Sequence, residues 1–188
     1  MIDENAFGLL IAYLSLEDDE YGSEREEFVA RHATFTELVR TRLRDTPPGT
    51  AARALELGHA QYVEVLEGDN VADLIAWLRE TRALLNEQEF ATAAILTFGS
   101  SWLHADETES DVVELGAVRL SRASGPSEPF RRALSADAAA RGDEDGGTAG
   151  WGAGLYLDVS AVEALGRKPK NAPTILRSGG AEFFRAGS

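Results

Sequence analysis

The apolar positions of this chain come in short runs whose spacing alternates between strand and helix. Ala6 to Leu14 is nearly continuous in apolar residues and ends at Glu17-Asp18-Asp19-Glu20. A run of that length, apolar on both alternate faces, reads as a buried strand feeding an acidic loop. Ser23 with Glu26 three residues later forms a capping box. Phe28, His32, Phe35, Val39 and Leu43 then recur at helical spacing until Pro47-Pro48-Gly49 stops the pattern. Tyr62 to Leu66 is strand-like and ends at Gly68. Asp69 or Asn70 is placed to cap a second helix, with Leu74, Ile75, Leu78, Arg82 and Leu85 on one face and Trp77 and Leu84 widening its stripe. Ala93 to Phe98 is apolar on both faces, as a central strand would be, and leads into Gly99-Ser100-Ser101-Trp102-Leu103.

The second half carries weaker patterns. Val112 to Leu120 predicts a strand containing Gly116 and Arg119, and Ser127 to Arg141 predicts an alanine-rich helix with Pro129 in its first turn. Residues from about 142 to 150 form a Gly/Asp-rich stretch with almost nothing to bury, which reads as a mobile loop. Leu155 to Val159 resumes as a strand, and Ser160 with Glu163 reads as the capping box of a short helix ending at Gly166. Thr174 to Arg177 and Ala181 to Arg185 suit a hairpin around Ser178-Gly179-Gly180. The sequence shows no repeat of fixed period. The predicted architecture is a single α+β domain over residues 1–188, a sandwich in which helices pack on one face of a mainly antiparallel sheet.

Charge changes this picture most. The chain of 188 residues holds 32 Asp plus Glu against 18 Lys plus Arg, a formal net charge of -14. Such a field repels nucleic acid, whose affinity for protein rests on cations that neutralise phosphates, and it attracts a basic partner. Lys-poor, acid-rich surfaces are also an adaptation to salt, so solubility is a second explanation of the same composition. Both lysines fall in Arg167-Lys168-Pro169-Lys170, a local reversal of charge in a Pro-containing connector. The absence of cysteine excludes disulfides and thiolate chemistry and fits a reducing cytoplasm. The first apolar run is too short to span a bilayer and follows Asp3 and Glu4, so neither membrane insertion nor export is expected.

No strong catalytic motif is present, and no catalytic residue is nominated. His32 sits on an apolar helix face and reads as a packed histidine, and His59 follows Gly58 at the end of a loop. His104 closes the central strand beside Asp106 and Glu107, a donor set suited to a divalent metal if further ligands converge. Gly150-Trp151-Gly152-Ala153-Gly154 precedes a strand, the reverse of the dinucleotide fingerprint. Asp143-Glu144-Asp145-Gly146 lacks the alternating ligands of an EF-hand. Ser100 lacks the second glycine of a nucleophile elbow. Trp102 and Trp151 are placed as anchors for a ligand or partner. With Asp18, Asp19, Glu20, Asp106, Glu107 and Glu109 they make up the expected partner surface. The expectation is therefore a non-enzymatic cytoplasmic binding or regulatory protein without cofactor, such as an immunity or inhibitor protein meeting a basic protein. The alternative is a small enzyme or ligand-binding protein with a site at His104, Asp106 and Glu107.

Overall fold

A computed structural model describes residues 2–14, 24–68, 70–103, 112–115, 118–121, 127–142, 150–166 and 175–186. They form strands β1 (Ile2–Tyr13), β2 (Ala51–Glu56), β3 (Ala60–Leu66), β4 (Thr92–Leu103), β5 (Val112–Leu115), β6 (Val118–Ser121), β7 (Gly154–Asp158), β8 (Ile175–Ser178) and β9 (Ala181–Ala186). The helices are α1 (Glu24–Asp45), α2 (Val71–Glu87), α3 (Glu128–Arg141) and α4 (Val159–Ala164). The strands join in one nine-stranded sheet, in the order β5-β6-β2-β3-β1-β4-β7-β9-β8. The class is α+β with a mainly antiparallel sheet. Parallel pairing occurs between β4 and β7 and at a single register between β2 and β6.

The continuous apolar run of β1 follows from its central position. Phe7, Leu9, Ile11 and Tyr13 face one core, with Phe35, Val39 and Leu43 of α1, Leu74, Leu78 and Leu85 of α2, and Ala161 and Val162 of α4. Leu10 and Ala12 face a second core against Ala133, Ala136 and Ala140 of α3. A strand covered on both sides needs apolar residues at every position, and period-2 alternation disappears. Helices α1, α2 and α4 thus cover one face, as expected, and α3 adds a layer on the other. The small side chains of α3 let it sit close to the sheet.

Local chemistry accounts for the helix ends. Asn70 caps α2 by accepting from the Ala72 amide at 3.0 Å, and Ser127 caps α3, with Pro129 in its first turn and Gly142 at φ +82° at its C-terminus. The expected Ser160/Glu163 box is corrected: the cap of α4 is Asp158, which accepts from the Ala161 amide at 2.7 Å. Gly179 and Gly180, at φ +52° and +78°, form the tight turn between β8 and β9. Two further readings change. The single strand expected over Val112 to Leu120 is the hairpin β5–β6. Phe28 and Leu84, expected on buried stripes, are 50% and 47% exposed.

Burial raises the phenol pKa of Tyr13, Tyr62 and Tyr156 above 10.0, and at Tyr62 the neighbouring Glu64 carboxylate adds to the rise. A group that holds its proton more tightly when folded contributes stability that is full below its unfolded pKa and is lost as pH rises through the folded one. Unfolding midpoints in urea are therefore expected to fall from about pH 10 upward, and Tyr62→Phe should flatten that fall. A midpoint independent of pH in this range would show that these phenols titrate alike in both states.

Candidate functional site

Beyond Leu96 and Leu157 the parallel pair β4 and β7 diverges: β4 runs on to Leu103, while β7 turns into α4 at Asp158. Crevices outside the carboxyl ends of neighbouring parallel strands are where α/β sheets place ligands. Here the crevice is a cleft of about 580 Å³ among Asn5, Glu67, Phe98, Ser100, Glu128 and Glu163, with Arg132 and Ser160 in its wall. A smaller hollow continues past Arg132 and Asp158 to the Gly179-Gly180 turn.

Arg132 holds the cleft together. From α3 its Nη1 donates to the Phe98 carbonyl at 2.7 Å, to Ser160 Oγ at 3.0 Å and to Asp158 Oδ2 at 3.1 Å, while Nη2 donates to Glu128 one turn earlier. Glu128 also accepts from the Ser100 amide at 3.1 Å, and Asp158 from the Phe98 amide at 3.3 Å. One guanidinium thus ties α3, β4 and α4 into a single wall. Burial raises the Asp158 carboxyl above its ordinary 3.8, against the pull of the Ala161 and Phe98 amides and of Arg132. Glu67 and Glu163 also line the cleft, exposed, with no side-chain partner among the described residues. With Arg132 balanced by Glu128 and Asp158, the cleft is electrostatically negative.

Under the start of α3 lies a buried polar cluster centred on Glu64. Its carboxylate accepts from Tyr62 Oη at 2.8 Å, from Ser101 Oγ at 2.7 Å and from Ser127 Oγ, and faces Arg53 Nη1 at 3.8 Å. Arg53 and Glu64 are both essentially inaccessible to solvent. Because Ser127 also caps α3, this cluster fixes the height and angle at which α3 delivers Glu128 and Arg132 to the cleft.

The nominated residues fare differently. Asp18, Asp19, Glu20, His104, Asp106, Glu107 and Glu109 lie outside the described residues, as do Arg167 to Lys170 and Asp143 to Gly146. Trp102 is described only through its backbone in β4. Trp151 is half-buried, its ring 5.3 Å from that of Tyr156 and 5.6 Å from that of Phe183, and it does not line the cleft. His32 packs against Tyr13, 3.3 Å from its hydroxyl. His59 is bound to buried Asp137 of α3 at 2.7 Å, which fastens the β2–β3 turn to that helix. Sequence reasoning missed Arg132, Asp158, Glu128 and Glu64. Asp158 alone had a readable signal, as an Asp immediately before a helix.

The mainly antiparallel sheet with helices on both faces and a cleft where the parallel pair β4–β7 splits is an α+β fold similar to that of solved adenylyl cyclases. The adenylyl cyclase CyaB from P. aeruginosa superposes with a TM-score of 0.52 at 9% identity, over 100% of this chain and 95% of that one. A bacterial light-regulated adenylyl cyclase superposes with a TM-score of 0.57 at 9% identity, over 98% and 90%. At such identities the likeness is one of fold. No protein-family model matches the sequence, and no curated protein matches it at a significant level.

The expectation of an immunity or regulatory binding protein built around an acidic surface is overturned, because the solved structures this fold is similar to are adenylyl cyclases. The physical reason for the misreading is that net charge governs solubility and encounter, and carries no information on fold.

Proposed function

We propose that the chain binds a nucleoside triphosphate, as its Mg²⁺ complex, in the cleft at the ends of β4 and β7. The observation that carries this reading is the acidic cleft itself, on a fold shared with adenylyl cyclases. A bare triphosphate would be repelled by Glu67, Glu128, Asp158 and Glu163, whereas its magnesium complex presents a cation to them. Among the described residues no group of three or more His, Asp or Glu could hold a metal ion, so a resident metal centre does not fit them. Mg²⁺ that arrives with its nucleotide needs only one or two carboxylates beside the phosphates, and Glu67 and Glu163 suit that part. The enzyme activity corresponding to the fold is cyclisation, in which the ribose 3′-oxygen bonds to the α-phosphorus, pyrophosphate leaves and the hydroxyl proton is released.

The test is thermal unfolding with ATP or GTP, with Mg²⁺ or with chelator. At a hundredfold excess over Kd the complex should stabilise the fold by about 2.7 kcal/mol, a rise of roughly 5–10 °C for a chain of this size. Chelator should abolish the rise, and Glu67→Gln with Glu163→Gln should weaken binding about tenfold. The absence of any shift with either magnesium nucleotide would sink the reading. Assay of the same mixtures for cyclic nucleotide and pyrophosphate separates binding from turnover.

A further inference from the structure

At the other end of β4, roughly 20 Å from the cleft by strand rise, two arginines are anchored on the backbones of neighbouring strands. Arg82 reaches from α2 to the carbonyl of Thr92, its Nε donating at 3.2 Å. Arg185 of β9 donates from Nη2 to the carbonyl of Ala153 at 2.6 Å. Ala93 and Gly154 are paired in register, so Thr92 and Ala153 sit side by side where the parallel strands begin. Each guanidinium is thus anchored by one hydrogen bond to the backbone of adjacent strands. The Arg185 guanidinium lies 5.9 Å from the centre of the Tyr156 ring. Gly154 makes room for it, since a Cβ there would stand 3.0 Å from Arg185 Nε and 3.1 Å from the Tyr156 ring.

Among the described residues neither arginine has a carboxylate partner, in a chain with 32 acidic residues. Arg40, Arg42, Arg132 and Arg141 each carry one, whereas Arg31, Arg79 and Arg131 share the lack of one among the described residues. Burial lowers the Arg82 pKa, and the charge of Arg185 lowers it further, so the two cations act on each other. A pair of like charges held together by backbone carbonyls, with most of their five N–H donors each unspent, is complementary to an anion with several oxygens. The Tyr156 ring stands beside Arg185 as an apolar shelf.

We propose that Arg82 and Arg185 form a binding site for a phosphoryl group, borne by inorganic phosphate or by a small phosphomonoester. The site is independent of the nucleotide cleft. It differs from a surface pair in that both guanidinium groups are already oriented by Thr92 and Ala153, which lowers the ordering cost of binding.

The test follows the arginine Nε resonances of the full chain by NMR, with Mg²⁺ absent, as inorganic phosphate, ribose 5-phosphate or sulfate is added. Phosphate and ribose 5-phosphate should move the Arg82 and Arg185 signals together and saturably. Tighter binding of ribose 5-phosphate would identify a phosphomonoester as the ligand, and equal binding would identify phosphate itself. Arg185→Gln and Arg82→Gln should each weaken binding about tenfold or more. Because the repulsion is removed, Arg185→Gln should melt no lower than wild type without ligand, which a merely structural arginine would not allow. If phosphate leaves both signals unmoved, moves them without saturation, or shifts the melting temperature of the double Gln variant as much as that of wild type, the proposal is overturned. Omitting Mg²⁺ keeps the nucleotide cleft out of the result.

Discussion

Glu64→Ala is expected to destabilise the fold by about 3–5 kcal/mol, a large part of the 5–15 kcal/mol typical of a domain. The size follows from what the carboxylate holds. Three hydroxyls, those of Tyr62, Ser101 and Ser127, donate to it, and Arg53 faces it at 3.8 Å with both groups out of reach of solvent. Alanine would leave the Arg53 charge without the carboxylate it faces, and would deprive the three hydroxyls of their acceptor. Removing both charges is different, since a buried ion pair replaced by well-packed apolar residues is often close to neutral. Glu64→Leu combined with Arg53→Met should therefore recover most of the loss. Urea unfolding of the three proteins checks this. A single-variant loss below about 1 kcal/mol would mean that Glu64 behaves as a surface carboxylate, and the cluster would then have no part in seating α3.

What was legible in the sequence was local. The run Ala6 to Leu14 announced a central strand because both its faces are buried. Asn70, Ser127 and the Gly179-Gly180 turn announced their elements because capping and turn geometry depend on one or two residue types. What failed was either a competition between neighbouring caps, as at Asp158 against Ser160, or a matter of tertiary placement. Strand β2 was invisible because its sequence, Ala51 to Glu56, alternates weakly, and Arg53 and Glu64 look like the polar positions of a solvated strand. The start of α3, lying over that face, helps to turn them into a buried pair. The cleft could not be read at all: Phe98, Glu128, Arg132 and Asp158 come from three elements, and nothing local couples them. Charge composition filled that gap with a partner surface, most of whose residues lie outside the described ones.

The second large effect is expected at Gly8, in the middle of β1. It lies in register between Glu64 of β3 and Thr97 of β4, directly beneath the first turn of α3. A Cβ at this position would stand 2.6 Å from Thr97 Oγ1, 2.7 Å from Tyr62 Oη and 2.9 Å from Pro129 Cβ. None of the three can yield easily. Thr97 donates to the Pro129 carbonyl at 2.9 Å, Tyr62 donates to Glu64, and Pro129 is locked into the helix start. Gly8→Ala must therefore lift α3, at a cost near the upper end of overpacking, about 3 kcal/mol, or a melting temperature lower by roughly 6–12 °C. Because α3 delivers Glu128 and Arg132, nucleotide binding in the cleft should weaken as well. Gly99→Ala supplies the contrast: its Cβ would meet the Glu128 carboxylate at 2.7 Å, the far end of a flexible side chain that can swing aside. That variant should lose less than about 1 kcal/mol while releasing Glu128 from the Ser100 amide. Equal melting temperatures for the two variants would show that α3 does not rest on Gly8 and that the close approach of helix and strand is not what sets the cleft.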